Sequence, residues 1–231
     1  IQVGAKDPIK EAIWVDNITK NHPDWNMKQV VFCDLTKSEM IIEIEKFEKL
    51  PSVAGVRQIL SRAPGKEAGS ILLDNIATPI VLQNLKILSR LGYSFDLQLI
   101  PEVMKQASFL FEKVPELKIA LCHAGSPHDR TKEGIKYWQE ALKSFSSLSN
   151  VTCKISGLGM FKHDWKIEDF RPVIETCLDQ FGSKRCMFGS NFPVDSLYSD
   201  YNTLMSAFRT LIPKSFHEAI FRKTACEFYA I

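Results

Sequence analysis

The stretch Val53-Ala54-Gly55-Val56-Arg57-Gln58-Ile59-Leu60 carries the clearest fold signal in this sequence. It is apolar at nearly every position rather than at every second one, which is typical of a parallel strand that is covered on both faces. Similar short runs recur along the chain, and their starts lie on average about 31 residues apart. That spacing is the size of one strand–helix repeat of a (β/α)8 barrel. The other runs are residues 1–3, 30–35, 93–99, 119–123, 151–158 and 186–191.

Longer amphipathic stretches separate these runs and predict helices. Pro8, Pro79 and Pro101 stand where a first helical turn would begin, and Gly182 suits a helix end. Ser38 is predicted to cap the helix that follows it. The predicted helices cover about 8–21, 38–49, 79–90, 101–113, 132–147, 167–181, 199–211 and 214–228.

The alternation of strands and helices predicts parallel βαβ units and an α/β fold. Seven units of this size favour a TIM (β/α)8-type barrel whose first strand is missing from the chain. We therefore expect one N-terminally incomplete barrel domain over residues 1–231. A doubly wound sheet is the alternative, but its Gly-rich phosphate loop has no good match, since Gly157-Leu158-Gly159 lacks a third glycine. The polar stretch 61–75 is predicted to be a long loop that walls the active site.

Composition excludes several classes of protein. With 45% hydrophobic residues the chain is not intrinsically disordered, and a formal net charge of +2 argues against a nucleic-acid binder that works by bulk electrostatics. No apolar run is long enough to span a membrane. The six cysteines form no CxxC pair and several lie in apolar runs, which predicts reduced core thiols and a cytoplasmic location.

In a barrel of this kind, functional groups gather at the carboxyl ends of the strands. His123 ends a strand, where it could bind a metal or move protons, or serve as a satisfied core histidine. Arg57 could hold a substrate carboxylate or carbonyl, or form a structural salt bridge across the barrel floor. Lys154 could contact substrate or lie along the outer face between helices. Gln98 and Asp96 are two residues apart, so both are expected to face the lumen.

The segment Met187-Phe188-Gly189-Ser190-Asn191-Phe192-Pro193-Val194-Asp195 ends the last predicted strand. Asn191 can form hydrogen bonds but cannot act as a general base. Asp195 could be that base, or could cap the next helical turn. The other histidines in loops and in the final helix, His22, His163 and His217, are predicted to be surface residues. No HxH or HExxH spacing is present, so the sequence contains no self-sufficient metal site.

Four ordered segments together resemble the amidohydrolase-2 family of TIM-barrel hydrolases. They are Val-Ala-Gly-Val-Arg57-Gln58-Ile-Leu, Phe95-Asp96-Leu-Gln98-Leu, Cys122-His123-Ala-Gly125-Ser-Pro127 and the segment that ends at Asp195. The closest branch is that of sugar lactonases and 2-pyrone-4,6-dicarboxylate lactonase. The resemblance covers nearly the whole chain.

The resemblance implies an HxH pair on a strand before Ile1, and His123 as a metal ligand. It makes a divalent metal, with zinc as the leading candidate, the expected cofactor, while catalysis without metal stays open. Asn191 stands where many members carry the aspartate that deprotonates water. We therefore hypothesise that Asp195, or a group in the missing segment, takes over proton transfer.

The function that the resemblance implies is the opening of a small lactone by water. His123, Asn191 and Asp195 are the expected catalytic residues, and Gln98 and Lys154 join Arg57 as substrate contacts. A decarboxylase, or an impaired relative that only binds a small acid, are the alternatives. The expected partner is a small-molecule substrate, without nucleic acid or membrane, and a homo-oligomer stays open. Since a barrel without its first strand has two exposed edges, we expect a polypeptide longer by about 40–60 residues.

Overall fold

A computed structural model describes residues 1–2, 4–63, 65 and 76–231. Its centre is a parallel sheet of six strands in the order β1-β2-β3-β4-β5-β6. The strands are β1 Gln29–Phe32, β2 Val53–Ile59, β3 Ser94–Gln98, β4 Ile119–Leu121, β5 Val151–Ile155 and β6 Cys186–Phe188. This order follows the chain without the reversal that a doubly wound sheet requires, so the alternative is excluded for the described sheet. Most of the predicted loop 61–75 lies outside the described residues.

Helices follow the strands as the amphipathic stretches predict. Pro8, Pro79 and Pro101 each begin a helix, and Gly182, with a φ of 72°, ends α6. A π-helical turn, Ala219–Lys223, leads into the last helix. The helices are α1 Pro8–Asn21, α2 Met40–Phe47, α3 Pro79–Arg90, α4 Pro101–Phe111, α5 Lys132–Ser146, α6 Ile167–Phe181, α7 Tyr201–Leu211 and α8 Thr224–Tyr229.

Two local predictions are wrong. Ser38 does not cap α2, because its hydroxyl donates to the side chain of Glu39 and the helix begins only at Met40. The run at residues 1–3 is not a strand in its described part. Gln2 donates one backbone hydrogen bond to Val30 at 2.9 Å, and a single bond does not make a ladder, so six strands are described instead of seven. Val3 lies outside the described residues.

The apolar core lies between the sheet and the surrounding helices. On β5, Cys153 and Ile155 belong to this core, whereas Lys154 points to the opposite side, towards the strand ends. The interpretation of Lys154 as an outer-face residue is therefore wrong, because the period of two along a strand sends it inward. All six cysteines are unpaired, and five of them are buried. Within the described ranges, no helix is both long and apolar enough to cross a membrane.

Candidate active site

A cavity of about 530 Å³ opens at the carboxyl ends of the strands. It collects side chains from five consecutive strands or the turns after them, together with two from the last helix α8. Five of the six site residues that the sequence indicates line it, and Asp195 does not. The polar lining includes Arg57, Gln98, His123, Lys154, Ser156, Asn191 and Tyr229.

His123 is held in a tight turn directly after β4. Its backbone is left-handed, with a φ of 54°, and its Nδ1 lies 3.0 Å from the hydroxyl of Ser156. Gly157 is required beside it, since a Cβ there would lie 2.6 Å from the same nitrogen. Burial, with the charges of Arg57 and Lys154, lowers the pKa of His123 to about 3. The imidazole is therefore neutral at ordinary pH, and one of its ring nitrogens carries no proton.

Lys154 forms a buried ion pair with Asp96 at the floor of the cavity. Tyr229 donates its hydroxyl to the Asp96 carboxylate at 2.9 Å, and its ring lies 5.2 Å from the Lys154 ammonium. The Cys122 thiol, 3.7 Å away, completes the surroundings of the carboxylate. Burial disfavours the ammonium, but the charge of Asp96 outweighs burial and raises the pKa of Lys154. Lys154 is thus a permanent positive charge that faces the cavity.

Arg57 lies on β2 and points into the same cavity. Its guanidinium donates to the side-chain oxygen of Gln98 and, at 3.3 Å, to the backbone carbonyl of Gln2. Its buried Nε has no hydrogen-bond partner, and no ion pair involves Arg57 within the described part of the chain. The structural salt bridge is therefore not formed there, and the guanidinium keeps donor capacity for a ligand.

Asn191 and Asp195 form a pair in the turns after β6. Asn191 has a φ of 57° and donates its Nδ2 to Asp195 Oδ1 at 2.8 Å. The interpretation of Asp195 as a helix cap is wrong, because its carboxylate bonds to Asn191 and not to the turn Val194–Leu197 that contains it. Asp195 is 1% exposed, its Oδ2 has no partner, and burial raises its pKa. Asp195 does not line the cavity, and its link to the cavity is the hydrogen bond from Asn191.

A family model described as Amidohydrolase matches residues 9–231. The chain belongs to the amidohydrolase family. A Sinorhizobium fredii protein, y4mH, is 31% identical over 229 residues, which are 97% of this chain and 76% of that protein. An L-fucono-1,5-lactonase from Burkholderia ambifaria is 24% identical over 214 residues, which are 87% and 70% of the two chains.

The solved structure of a Burkholderia multivorans amidohydrolase with bound Zn superposes with a TM-score of 0.83 at 20% identity. The match covers 96% of this chain and 79% of that one. Its likeness shows the fold, and the expectation of an α/β barrel of the TIM type is confirmed.

Two cavity residues of this amidohydrolase escaped the sequence analysis. Tyr229 ends the last helix, where no sequence signal distinguishes it from a core tyrosine. Arg62 is the second residue of the polar stretch 61–75, and its place in a predicted active-site wall is the signal that could have singled it out. The predicted surface histidines are placed as expected for His22 and His163, which are exposed, while His217 is half-buried and bonds to the Ile212 carbonyl.

The described residues do not fit a divalent metal. They contain no group of three histidine, cysteine, aspartate or glutamate side chains that could hold one. His123 contributes one imidazole, its neighbours Arg57 and Lys154 are cations, and the Asp96 carboxylate is already occupied by Lys154 and Tyr229.

Proposed function

We propose that this amidohydrolase opens the ring of a small lactone by adding water to its carbonyl carbon. One observation carries the proposal: the Lys154 ammonium, the neutral His123 imidazole and the Arg57 guanidinium line one cavity at the strand ends. Acyl transfer needs such a combination of a fixed positive charge and a proton acceptor. The lactonase name of a relative that aligns over most of the chain supports the choice of a lactone.

Lys154 acts on the carbonyl oxygen. Its ammonium is fixed by Asp96 before the substrate arrives, so it stabilises the oxyanion without reorganising. Arg57 and Gln98, which are hydrogen-bonded to each other, bind a carboxylate or carbonyl group of the substrate and hold the ring in place.

His123 and Asn191 act on the water. The Asn191 amide nitrogen is engaged by Asp195, so its carbonyl oxygen is left to accept a hydrogen bond from the attacking water. The ring nitrogen of His123 that is not bonded to Ser156 takes the water proton as the C–O bond forms. It then gives the proton to the ring oxygen as the ester C–O bond breaks, which leaves a hydroxy acid.

A panel of sugar-acid and dicarboxylate lactones tests the proposal through acid release at constant pH. Ring-opened hydroxy acid as the product supports it. Release of carbon dioxide from a carboxylated compound would point instead to a decarboxylase. Binding without any turnover would indicate the impaired relative that Asn191 suggests.

The Asp195→Ala variant tests the water-orienting pair. We expect kcat to fall by about tenfold or more with KM nearly unchanged, because Asn191 loses the bond that orients it. Asp179→Ala, an exposed aspartate on α6, is the matched control. An unchanged kcat in Asp195→Ala would remove both Asn191 and Asp195 from the mechanism.

The cytoplasmic location and a homo-oligomer stay predictions of this proposal. The first rests on the six unpaired cysteines, which suit a reducing compartment.

A further inference from the structure

His123 and Ser156 meet just beyond the carboxyl ends of two neighbouring strands, β4 and β5. Both side chains are buried, and both line the cavity. The Nδ1 of His123 lies 3.0 Å from the Ser156 hydroxyl, which forms no other hydrogen bond within the described part of the chain. Either group can be the donor of this bond, because a neutral imidazole has two tautomers and a hydroxyl both donates and accepts.

The turn after β5 closes the Nδ1 edge of the ring. Gly157, which follows Ser156, has a φ of 63°, and a Cβ on it would lie 2.6 Å from the same nitrogen. Only glycine lets the backbone of this turn come so close to the imidazole. The Nδ1 of His123 is therefore held against protein, with Ser156 as its hydrogen-bond partner.

The other ring nitrogen of His123, Nε2, has different surroundings. It forms no hydrogen bond with any residue that the structure describes, yet it is not one of the fully buried polar atoms that lack a partner. Since His123 lines the cavity, Nε2 opens onto it. The tautomer of the ring therefore decides whether a molecule in the cavity meets a ring N–H or a ring lone pair.

Two features of the surroundings favour the proton on Nδ1. Arg57 and Lys154 line the cavity as cations, and a positive field favours a lone pair on the nitrogen that faces it. Burial and these cations lower the pKa of His123, and a hydrogen bond with the backbone of Ser156 opposes them. A backbone group raises the pKa of a histidine when its carbonyl accepts from a ring N–H.

We propose that Ser156 is a positioning residue, which accepts a hydrogen bond from the Nδ1–H of His123 and so keeps the Nε2 lone pair open to the cavity. A ring in the other tautomer would present an N–H to the attacking water and could not take its proton. This use of the lone pair rests on the proposed function, whereas the tautomer itself does not.

Nitrogen-15 NMR of protein with labelled histidines reads the tautomer directly, because protonated and unprotonated ring nitrogens have well-separated chemical shifts. The chain has five histidines, and the His123 signals are those that are absent from the spectrum of His123→Gln. We expect a protonated Nδ1 and an unprotonated Nε2 in wild-type protein. In Ser156→Ala, both shifts should move towards those of a mixture of tautomers. The signals of the other histidines should stay in place, which shows that the variant folds.

Steady-state kinetics on the best lactone of the panel measure the consequence for the rate. Ser156→Ala is expected to lower kcat by about tenfold, the effect of one lost hydrogen bond, with KM within about twofold. Ser149→Ala, an exposed serine in the turn before β5, is the matched control and should keep the wild-type kcat and the wild-type tautomer.

The outcomes separate this proposal from the lactonase proposal. A proton on Nε2 in wild-type protein, or a tautomer that is the same in Ser156→Ala, would overturn the role of Ser156. A mixture of tautomers in Ser156→Ala with an unchanged kcat would also contradict it. Failure of every lactone to react, with the tautomer fixed in wild-type protein and lost in Ser156→Ala, would overturn the lactonase proposal and leave His123 positioned for another ligand.

Discussion

Two buried aspartates have similar partners and different consequences. Asp16, on α1, accepts hydrogen bonds from the backbone and hydroxyl of Ser52 at 3.2 and 2.7 Å and pairs with Lys20. Asp96, on β3, pairs with Lys154 and accepts from Tyr229. Each is thus a buried carboxylate bound to one lysine and one hydroxyl.

The difference lies in where the lysine is. Lys20 is 59% exposed on the same helix as Asp16, so its charge is shared with water, and the carboxylate holds α1 to the loop before β2. Lys154 is buried on another strand and faces the active-site cavity, so its charge is presented to a ligand in a low-dielectric space. The same pair of residue types therefore fixes structure in one place and is proposed to provide catalysis in the other.

Replacing each of the two lysines should give the largest difference in kcat between the two ion pairs. Lys154→Met is expected to lower kcat by about 10²–10³, because the oxyanion loses its fixed charge. Lys20→Met should leave kcat unchanged, since Asp16 keeps both bonds from Ser52. The measurement is the initial rate on the best lactone of the panel, and comparable losses in both variants would contradict the assignment.

Replacing Asp96, the carboxylate of the buried ion pair with Lys154, should change the pH dependence of the rate. In Asp96→Asn, burial and Arg57 act on Lys154 without an opposing charge, so its pKa falls and the alkaline limb of the rate moves to lower pH. At neutral pH we expect kcat to fall by about tenfold. Circular dichroism confirms folding, and an alkaline limb that stays in place would show that Lys154 does not carry the rate.

In the proposed mechanism, the acid limb of the pH–rate profile reports the protonation of His123. Because the pKa of His123 is lowered to about 3, it stays neutral as the pH falls from 8 to 5, and the wild-type rate should be nearly flat over that range. A pH–rate profile checks this. An acid limb near pH 6.5, the ordinary value for histidine, would show that the proton acceptor is not this buried imidazole.

Removing the Tyr229 hydroxyl is expected to have a smaller effect on kcat. Tyr229→Phe removes the hydroxyl that Asp96 accepts, and we expect kcat to fall by about threefold to tenfold with KM within about twofold. Tyr137→Phe, on the exposed face of α5, is the control. Steady-state kinetics decide, and a rise in KM alone would make Tyr229 a substrate contact instead.

The smallest effect on rate is expected at Asp16. Asp16→Asn should leave kcat unchanged and lower the free energy of unfolding by about 1–3 kcal/mol, since the bonds from Ser52 and Lys20 are weakened. Burial opposes the charge of Asp16, but these bonds outweigh it and lower its pKa. Its stabilisation is therefore complete above the unfolded-state pKa and is lost as the pH falls through the folded one. Urea denaturation at pH 7 and pH 3 measures both effects.

Local sequence was enough to place most of the strands and helices. Near-continuous apolar runs mark buried parallel strands, and prolines mark helix starts such as those at Pro79 and Pro101. Two local predictions were wrong for different reasons. Ser38 bonds to the neighbouring Glu39 side chain instead of capping α2. Residues 1–2 make too few backbone hydrogen bonds to form a strand.

Chain order, residue type and strand ends thus determined the fold class and brought Arg57, Gln98, His123, Lys154 and Asn191 to one cavity. The carboxyl ends of parallel strands meet at one edge whatever the details of packing. The hydrogen-bond partners of these side chains, in contrast, follow from tertiary packing. Tyr229 meets Asp96 across 133 residues of chain, and Asp195 lies behind Asn191. Such contacts depend on how distant segments of the chain pack together, and no local sequence pattern predicts them.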